Sequence, residues 1–171
     1  MLLCTCGTVG PAPSGNACED RQGRGHILEK SLGAVAKAGQ ADLAAVYEYG
    51  QTVTSRGLVF MDTPGYDPVS VTGIVAGGAT VVAFTTGRGS VFGCRPTPSI
   101  KFATNTAMFQ QMAADMDINC GRILDGSAGL KQVGDEIFEA IIAVASGERT
   151  VSEELDIGQE EFIPWQLGTV T

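Results

Sequence analysis

The chain has 171 residues, enough for one domain with a buried core and little more. A net charge of -8, from 11 basic and 19 acidic residues, argues against nucleic acid or an anionic membrane surface as a general partner, because both would repel it. Hydrophobic residues at 44% and charged residues at 18% exclude wholesale disorder. No run of about 20 apolar residues exists to span a bilayer.

Three counts narrow the chemistry. With one histidine, His26, any His cluster or nucleophile relay would rest on a single position. The five cysteines, at 4, 6, 18, 94 and 120, contain no CxxC pair and fit neither a zinc ribbon nor a disulfide framework. Reduced thiols in a cytoplasmic protein are the expectation. The opening residues Met1, Leu2, Leu3, Cys4, Thr5 and Cys6 have no basic region and too short an apolar run for a signal peptide. The 23 glycines are about twice the usual share and predict many tight turns.

In chain order, residues 1–25 are rich in turn and breaker residues, as in GPAPSG and EDRQGRG, and read as a poorly organised lead-in. The organised domain is expected over 26–171. Ile27, Leu28, Leu32, Val35 and Ala36 recur at helical spacing up to Gly39. A second helix is expected over 41–49, with Leu43, Val46 and Tyr47 inward and Gly50 after it. The continuous apolar run at 57–62 predicts a strand covered on both faces. Turn chemistry follows at 63–68, then a glycine-rich helix over 69–78 lying close to the sheet. A second buried strand is expected at 80–85 and a third, alternating one at 100–104, ending at Asn105. Residues 106–114 carry a helical pattern, and 115–126 are polar and irregular. Leu130, Val133, Ile137, Ile141 and Val144 step by helical intervals and make 130–146 the clearest helix. Phe162, Ile163, Pro164 and Trp165 form an apolar hook near the end. Strands alternating with helices predict an α/β fold with a mainly parallel sheet covered by helices.

Ligands of open parallel sheets bind outside the carboxyl ends of the strands. Those ends here carry Asp62, then Thr86, Gly87, Arg88, Gly89 and Ser90, then Thr104 and Asn105. They lie side by side only if the three strands are neighbours. In TTGRGSVFG at 85–93, two glycines bracket Arg88. Glycine lets backbone N–H groups approach an anion, and a guanidinium can grip a carboxylate bidentately. The alternative is a tight turn with a surface arginine. The glycine spacing is not that of a dinucleotide fingerprint, and no P-loop lysine follows, which argues against a nucleotide module.

Asp115, Asp117 and Asn119 imitate the start of an EF-hand loop, which then fails at Cys120 and Gly126. They form either another oxygen site or a polar loop that caps nearby backbone. Lys101, the only charge in its strand, is either a buried amine of lowered pKa or an outward residue on an edge strand. Asp62 has the same two readings, functional or merely exposed. His26 reads better as a polar helix-start residue than as a ligand. Cys94 and Cys120 read better as buried thiols than as metal ligands.

Several segments resemble one known family. They are MDTPGYDPVSVTGIVAGGATVVAFTTGRGSVFG from Met61, CRPTPSIKFATNT from Cys94, DMDINCGRILDG from Asp115 and SGERTVSEELDIGQEEFIPWQLG from Ser146. Together they are similar to the C-terminal domain of the altronate and galactarate dehydratases, over about 27–171. LEKSLGAVAKAG from Leu28 matches less faithfully, and the stretch from Arg24 to Glu29 departs from the family pattern. The resemblance implies a Rossmann-like domain and loss of water from a sugar acid to give a 2-keto-3-deoxy acid, with ferrous iron as the metal. Family enzymes are considerably longer, so the chain reads as a partial or truncated domain.

Under that resemblance Arg88 and the amides of Gly87, Gly89 and Ser90 would hold the substrate carboxylate. Thr86 and Asn105 would orient its hydroxyls. Lys101 would be base or clamp. Asp62 would assist catalysis at a hydroxyl or metal, and Asp117 and Asn119 would contact the metal. The implied partners are a small sugar acid and either the missing N-terminal part of the enzyme or further copies of the chain. GYDP and PWQLG point slightly to altronate. The competing reading is a truncated, non-catalytic remnant that binds sugar acids or pairs with other subunits.

Overall fold

The computed structural model describes residues 2–4 and 39–166. His26 and the helix expected from Ile27 up to Gly39 lie outside the described residues, which resume at Gly39. The chain divides into two compact units, one running to Gly78 and resuming at Pro164, the other Ala79–Ile163.

The first unit is built on a parallel sheet of β1 (Leu2–Cys4), β2 (Leu43–Tyr47) and β3 (Leu58–Met61), in the order β1-β3-β2. The helix expected over 41–49 is therefore corrected to a strand. Tyr47 turns inward while Leu43 and Val46, expected inward, are exposed. The residues Leu-Ala-Ala-Val-Tyr suit a helix locally. Pairing with β3 from Leu43↔Leu58 to Tyr47↔Met61 satisfies their backbone groups instead and overrides that preference. Gly50, read as a helix stop, sits in a turn at φ +69°. The central strand β3 buries Val59 and Met61 completely, as its continuous apolar run predicts.

Helix α1 (Asp67–Ala76) follows, with a proline in its first turn where no N–H is needed. The expected close approach is present. A side chain at Gly73 would meet the Tyr49 ring, and one at Gly77 the end of Met61. Tyr49 Oη donates to the Val69 carbonyl at 2.7 Å, and Thr63 and Ser70 share a buried hydroxyl pair at 2.7 Å.

The second unit holds a parallel sheet of β4 (Val82–Thr86), β5 (Ser99–Ala103) and β6 (Ile118–Asn119), with β5 in the middle. All five residues of β5 are buried, so the expected alternation is absent. A central strand covered on both faces has no solvent side. Helix α2 (Thr106–Gln111) is shorter than expected, and a 3-10 turn (Cys120–Ile123) lies in the stretch read as irregular. Helix α3 (Leu130–Ala145) lies where the periodicity put it, and short α4 (Val151–Glu154) opens on a capping box of Thr150 and Glu153. Ile100, Phe102, Ala103, Met108, Met116 and Val133 are buried, and the Phe84 and Phe92 rings stack at 5.2 Å. Parallel sheets with helices make the protein α/β. Among the described residues no helix is long and apolar enough to cross a membrane.

Candidate functional site

The carboxyl ends of β4 and β5 lie side by side, with Thr86 paired to Ala103. The Thr104 N–H donates to the Thr86 carbonyl at 3.0 Å. Asn105 couples the two exits. Its Nδ2 donates to the Gly87 carbonyl at 2.8 Å, while its Oδ1 accepts the Met108 N–H at 2.8 Å as the cap of α2. Gly89 takes φ +93°, where glycine is favoured, and Met112 occupies the space a Cβ would need. The Ser90 hydroxyl accepts the Phe92 N–H at 3.0 Å. Two strands and one helix thus shape the Arg88 turn. Arg88 itself is exposed and forms no salt bridge among the described residues.

Lys101 is fully buried on the central strand, which excludes the edge-strand reading. Its Nζ reaches the Ser90 carbonyl at 3.5 Å, joining it to the same turn. Burial pushes its pKa below the ordinary 10.5, against the opposing pull of Asp115, Asp117 and Glu161. Glu161 lies in the family-like segment that starts at Ser146, where sequence reasoning gave it no role.

Asp117 is committed to backbone. One carboxylate oxygen accepts the Lys101 N–H at 2.7 Å, the other the Val151 N–H at 2.9 Å, so it ties β5 to the start of α4. Asn119 Oδ1 accepts the Gly121 N–H at 3.0 Å, and its Nδ2 donates to Thr106 Oγ1 at 3.1 Å. Among the described residues no three His, Cys, Asp or Glu side chains converge as a metal site would require. Asp117 and Asn119 therefore do not fit the implied metal. They are the capping polar loop that was the alternative reading. Cys94, buried, and Cys120, half-buried, carry free thiols whose pKa burial raises.

Asp62 follows β3 in the other unit, and β3 is not a member of the β4–β5–β6 sheet. The condition that would align all three strand ends is not met by strand pairing. Asp62 is exposed, and its N–H donates to the Tyr47 carbonyl at 2.9 Å. Its side chain lines a cleft of about 380 Å³ with Glu48, Tyr49 and Trp165. The Tyr49 and Trp165 rings meet edge to face at 5.3 Å, while Phe162, also in the expected hook, is exposed. At the end of β2, hydrogen bonds from the Ser55 and Thr54 side chains, reinforced by their backbone N–H groups, lower the Tyr47 phenol to about 8. Glu48, Tyr47 and Tyr49 escaped sequence reasoning because a helix was expected there. A period-two reading of 43–47 would have set Tyr47 inward on a strand, with Glu48 and Tyr49 just past its end.

The motifs that build these turns can be compared with known proteins. A family model described as D-galactarate/Altronate dehydratase, C-terminal, matches residues 11–170. The chain belongs to this family. It is 42% identical to galactarate dehydratase (L-threo-forming) of Escherichia coli (strain K12) over 127 residues, which is 74% of this chain and 24% of that protein. It is 34% identical to altronate dehydratase of Bacillus subtilis (strain 168) over 130 residues, 76% of this chain and 26% of that one. It is also 32% identical to the (2R)-sulfolactate sulfo-lyase subunit beta of Chromohalobacter salexigens over 142 residues, 82% of this chain and 36% of that subunit. The chain thus spans about a quarter of the length of the dehydratases it matches. As a member of the D-galactarate/altronate dehydratase family it shares the origin of sugar-acid hydro-lyases.

Proposed function

We propose that this chain is the part of a cytoplasmic sugar-acid dehydratase that binds the substrate carboxylate, and that Arg88 makes that contact. The observation that carries this reading is Arg88 itself. It is an exposed guanidinium, free of salt bridges among the described residues, on a turn fixed by Asn105 at Gly87 and by Lys101 at Ser90. Of the relatives, those named for galactarate and altronate are dehydratases, which remove water, and the one named for sulfolactate is a sulfo-lyase. All three compounds carry a carboxylate on a hydroxylated carbon. A turn built for the carboxylate serves them all.

The proton beside a carboxylate is weakly acidic, and its removal builds negative charge on the carboxylate oxygens. A guanidinium held in place stabilises that charge more than it stabilises the ground state. Lys101, with its pKa lowered by burial, is the base or clamp of the proposal, since a deprotonated amine can accept the proton. Thr86 and Asn105 orient hydroxyls. Taken by itself, the first unit's cleft offers the carboxylates of Asp62 and Glu48 with the rings of Tyr49 and Trp165, a lining suited to a polyol. Iron, which the family implies, takes no ligand from Asp117 or Asn119. We propose that its ligands come from elsewhere in a longer protein.

The test is dehydration of aldonates and aldarates by a longer protein carrying this domain, under reducing conditions with ferrous iron. Arg88→Ala is expected to lower kcat/KM by roughly 100-fold or more with the fold retained by circular dichroism. Undiminished turnover removes the carboxylate role. The second reading is a non-catalytic binding or pairing piece. It predicts sugar-acid binding by the 171-residue chain without turnover in any longer context.

A further inference from the structure

Glu161 holds the one buried side-chain oxygen or nitrogen among the described residues that has no hydrogen-bond partner, its Oε2. An empty buried acceptor is costly, and a charged one more so. Lys101 has the opposite shortage. Its side chain is fully buried, and the amine has one long hydrogen bond, to the Ser90 carbonyl at 3.5 Å. Packing of the tail behind α4 brings the two groups together within the second unit. The Ser152 hydroxyl donates to the Phe92 carbonyl at 3.4 Å, and the Arg95 N–H to the Gly158 carbonyl at 3.1 Å. At Gly158 a Cβ would strike the backbone of Gly93 and Cys94. The tail therefore lies along 92–95, just past the Ser90 carbonyl that Lys101 reaches. From there the Glu161 charge acts on the Lys101 amine, and it adds to the rise that burial gives the Cys94 thiol. Glu161 and Lys101 still form no direct ion pair.

We propose that Glu161 is the counter-ion of the ammonium that forms when Lys101 takes a proton from the substrate, a positioning residue that acts through Lys101. This rests on the reading of Lys101 as the base. The proton beside the substrate carboxylate bonds to Nζ, and the electron pair it leaves builds the carbon–carbon double bond as the neighbouring hydroxyl departs with its own pair. Nζ then returns the proton to that hydroxide, which completes water and restores the neutral amine. Between those two events a positive charge sits on a side chain with no access to water. Rotation of the flexible lysine or glutamate stem lets the ammonium donate to Oε2 and fills both vacancies at once. The neutral amine gains little from the carboxylate and the ammonium gains much, which is stabilisation that grows toward the transition state. The other charges facing the amine are Asp115, whose pull is the largest, and Asp117, both on the approach to β6. Asp117 is held by two backbone N–H groups, and Asp115 has no sealed, empty oxygen.

Heteronuclear NMR of the lysine side chains in the 171-residue chain reads the pairing without turnover, with the Lys101 signal identified by its loss in Lys101→Met. Glu161→Gln keeps the shape and is expected to move the Lys101 titration midpoint to lower pH, because an opposite charge favours the ammonium. Glu161→Asp keeps the charge and is expected to bring most of the displacement back. The displacement persists at roughly 0.5 M salt, since a sealed charge is little screened. In a longer protein that dehydrates a sugar acid, Glu161→Gln is expected to lower kcat about tenfold or more with KM unchanged. The acid limb of the kcat profile should move to lower pH along with the NMR midpoint, whereas a merely structural role would lower kcat and leave the limb in place. A midpoint indifferent to Glu161→Gln, or a displacement erased by salt, overturns the inference. So does a displaced midpoint with an unmoved kcat limb. If no longer protein dehydrates any sugar acid, the dehydratase reading fails, and the NMR midpoint still decides the pairing.

Discussion

Lys101 concentrates the physical tension of the second unit. An ammonium on a fully buried strand loses its hydration, and its side chain regains one long hydrogen bond to Ser90. Folding therefore shifts Lys101 toward the neutral amine, and the unfolded chain binds the extra proton between the lowered pKa and 10.5. Folding stability is then expected to rise with pH across that window and to level off above it. Lys101→Met keeps the volume and removes the charge. The urea midpoint of that variant, measured from neutral pH to about 10.5 and compared with wild type, should lack the part of the rise that belongs to Lys101. The lowered Tyr47 phenol contributes a rise of the same sign between about 8 and 10 in both proteins, so the difference between the two curves isolates the lysine. In a longer enzyme the same substitution should abolish turnover while Arg88-dependent binding survives. Asp117 is a case where residue type misleads. A carboxylate in a polar loop suggests a metal, yet both oxygens here are occupied by backbone N–H groups. Asp117→Ala should destabilise the fold by about 1–3 kcal/mol, with no rescue by added ferrous iron in a thermal melt.

At the scale of elements, the site depends on how closely α2 sits on the 3-10 turn. A Cβ at Gly121 would strike the backbone of Asn105 and Thr106. Backbone cannot swing aside as a side chain can. Gly121→Ala should therefore cost about 1–3 kcal/mol by overpacking, read as a lowered Tm. It should also disturb the Asn105 contact with Gly87 and so weaken sugar-acid binding, although residue 121 does not border the Arg88 turn. The elements also show where sequence patterns carry information. Helix α3 was legible because sixteen residues of helical spacing overdetermine it. Five residues of β2 do not overdetermine anything, and a neighbouring strand decided them. The periodicity of α3 named its apolar positions but not their burial: Val133 is fully buried while Leu130, in the same series, is exposed.

For the whole molecule, family membership fixes the reaction class to examine, and the quarter-length coverage fixes what material to examine it in. Dehydration by a longer protein should fall on chelation and recover with ferrous iron, while binding of the sugar acid to the 171-residue chain should be indifferent to chelator, measured by calorimetry. Loss of that binding on chelation would place a metal ligand within the chain after all. The sequence by itself determined the α/β class, because short continuous apolar runs and a long helical stripe are local properties. It also determined the family and the glycine-bracketed arginine, since these are written in consecutive residues. Only the tertiary structure decided that 43–47 is a strand, that Lys101 is central rather than at an edge, that Asp117 is consumed by backbone, and that Glu48, Tyr49, Asp62 and Trp165 line one cleft. The physical reason is the range of the interactions. Periodicity reports which side chains avoid water, whereas strand order and the satisfaction of polar groups are set by partners tens of residues away in the chain.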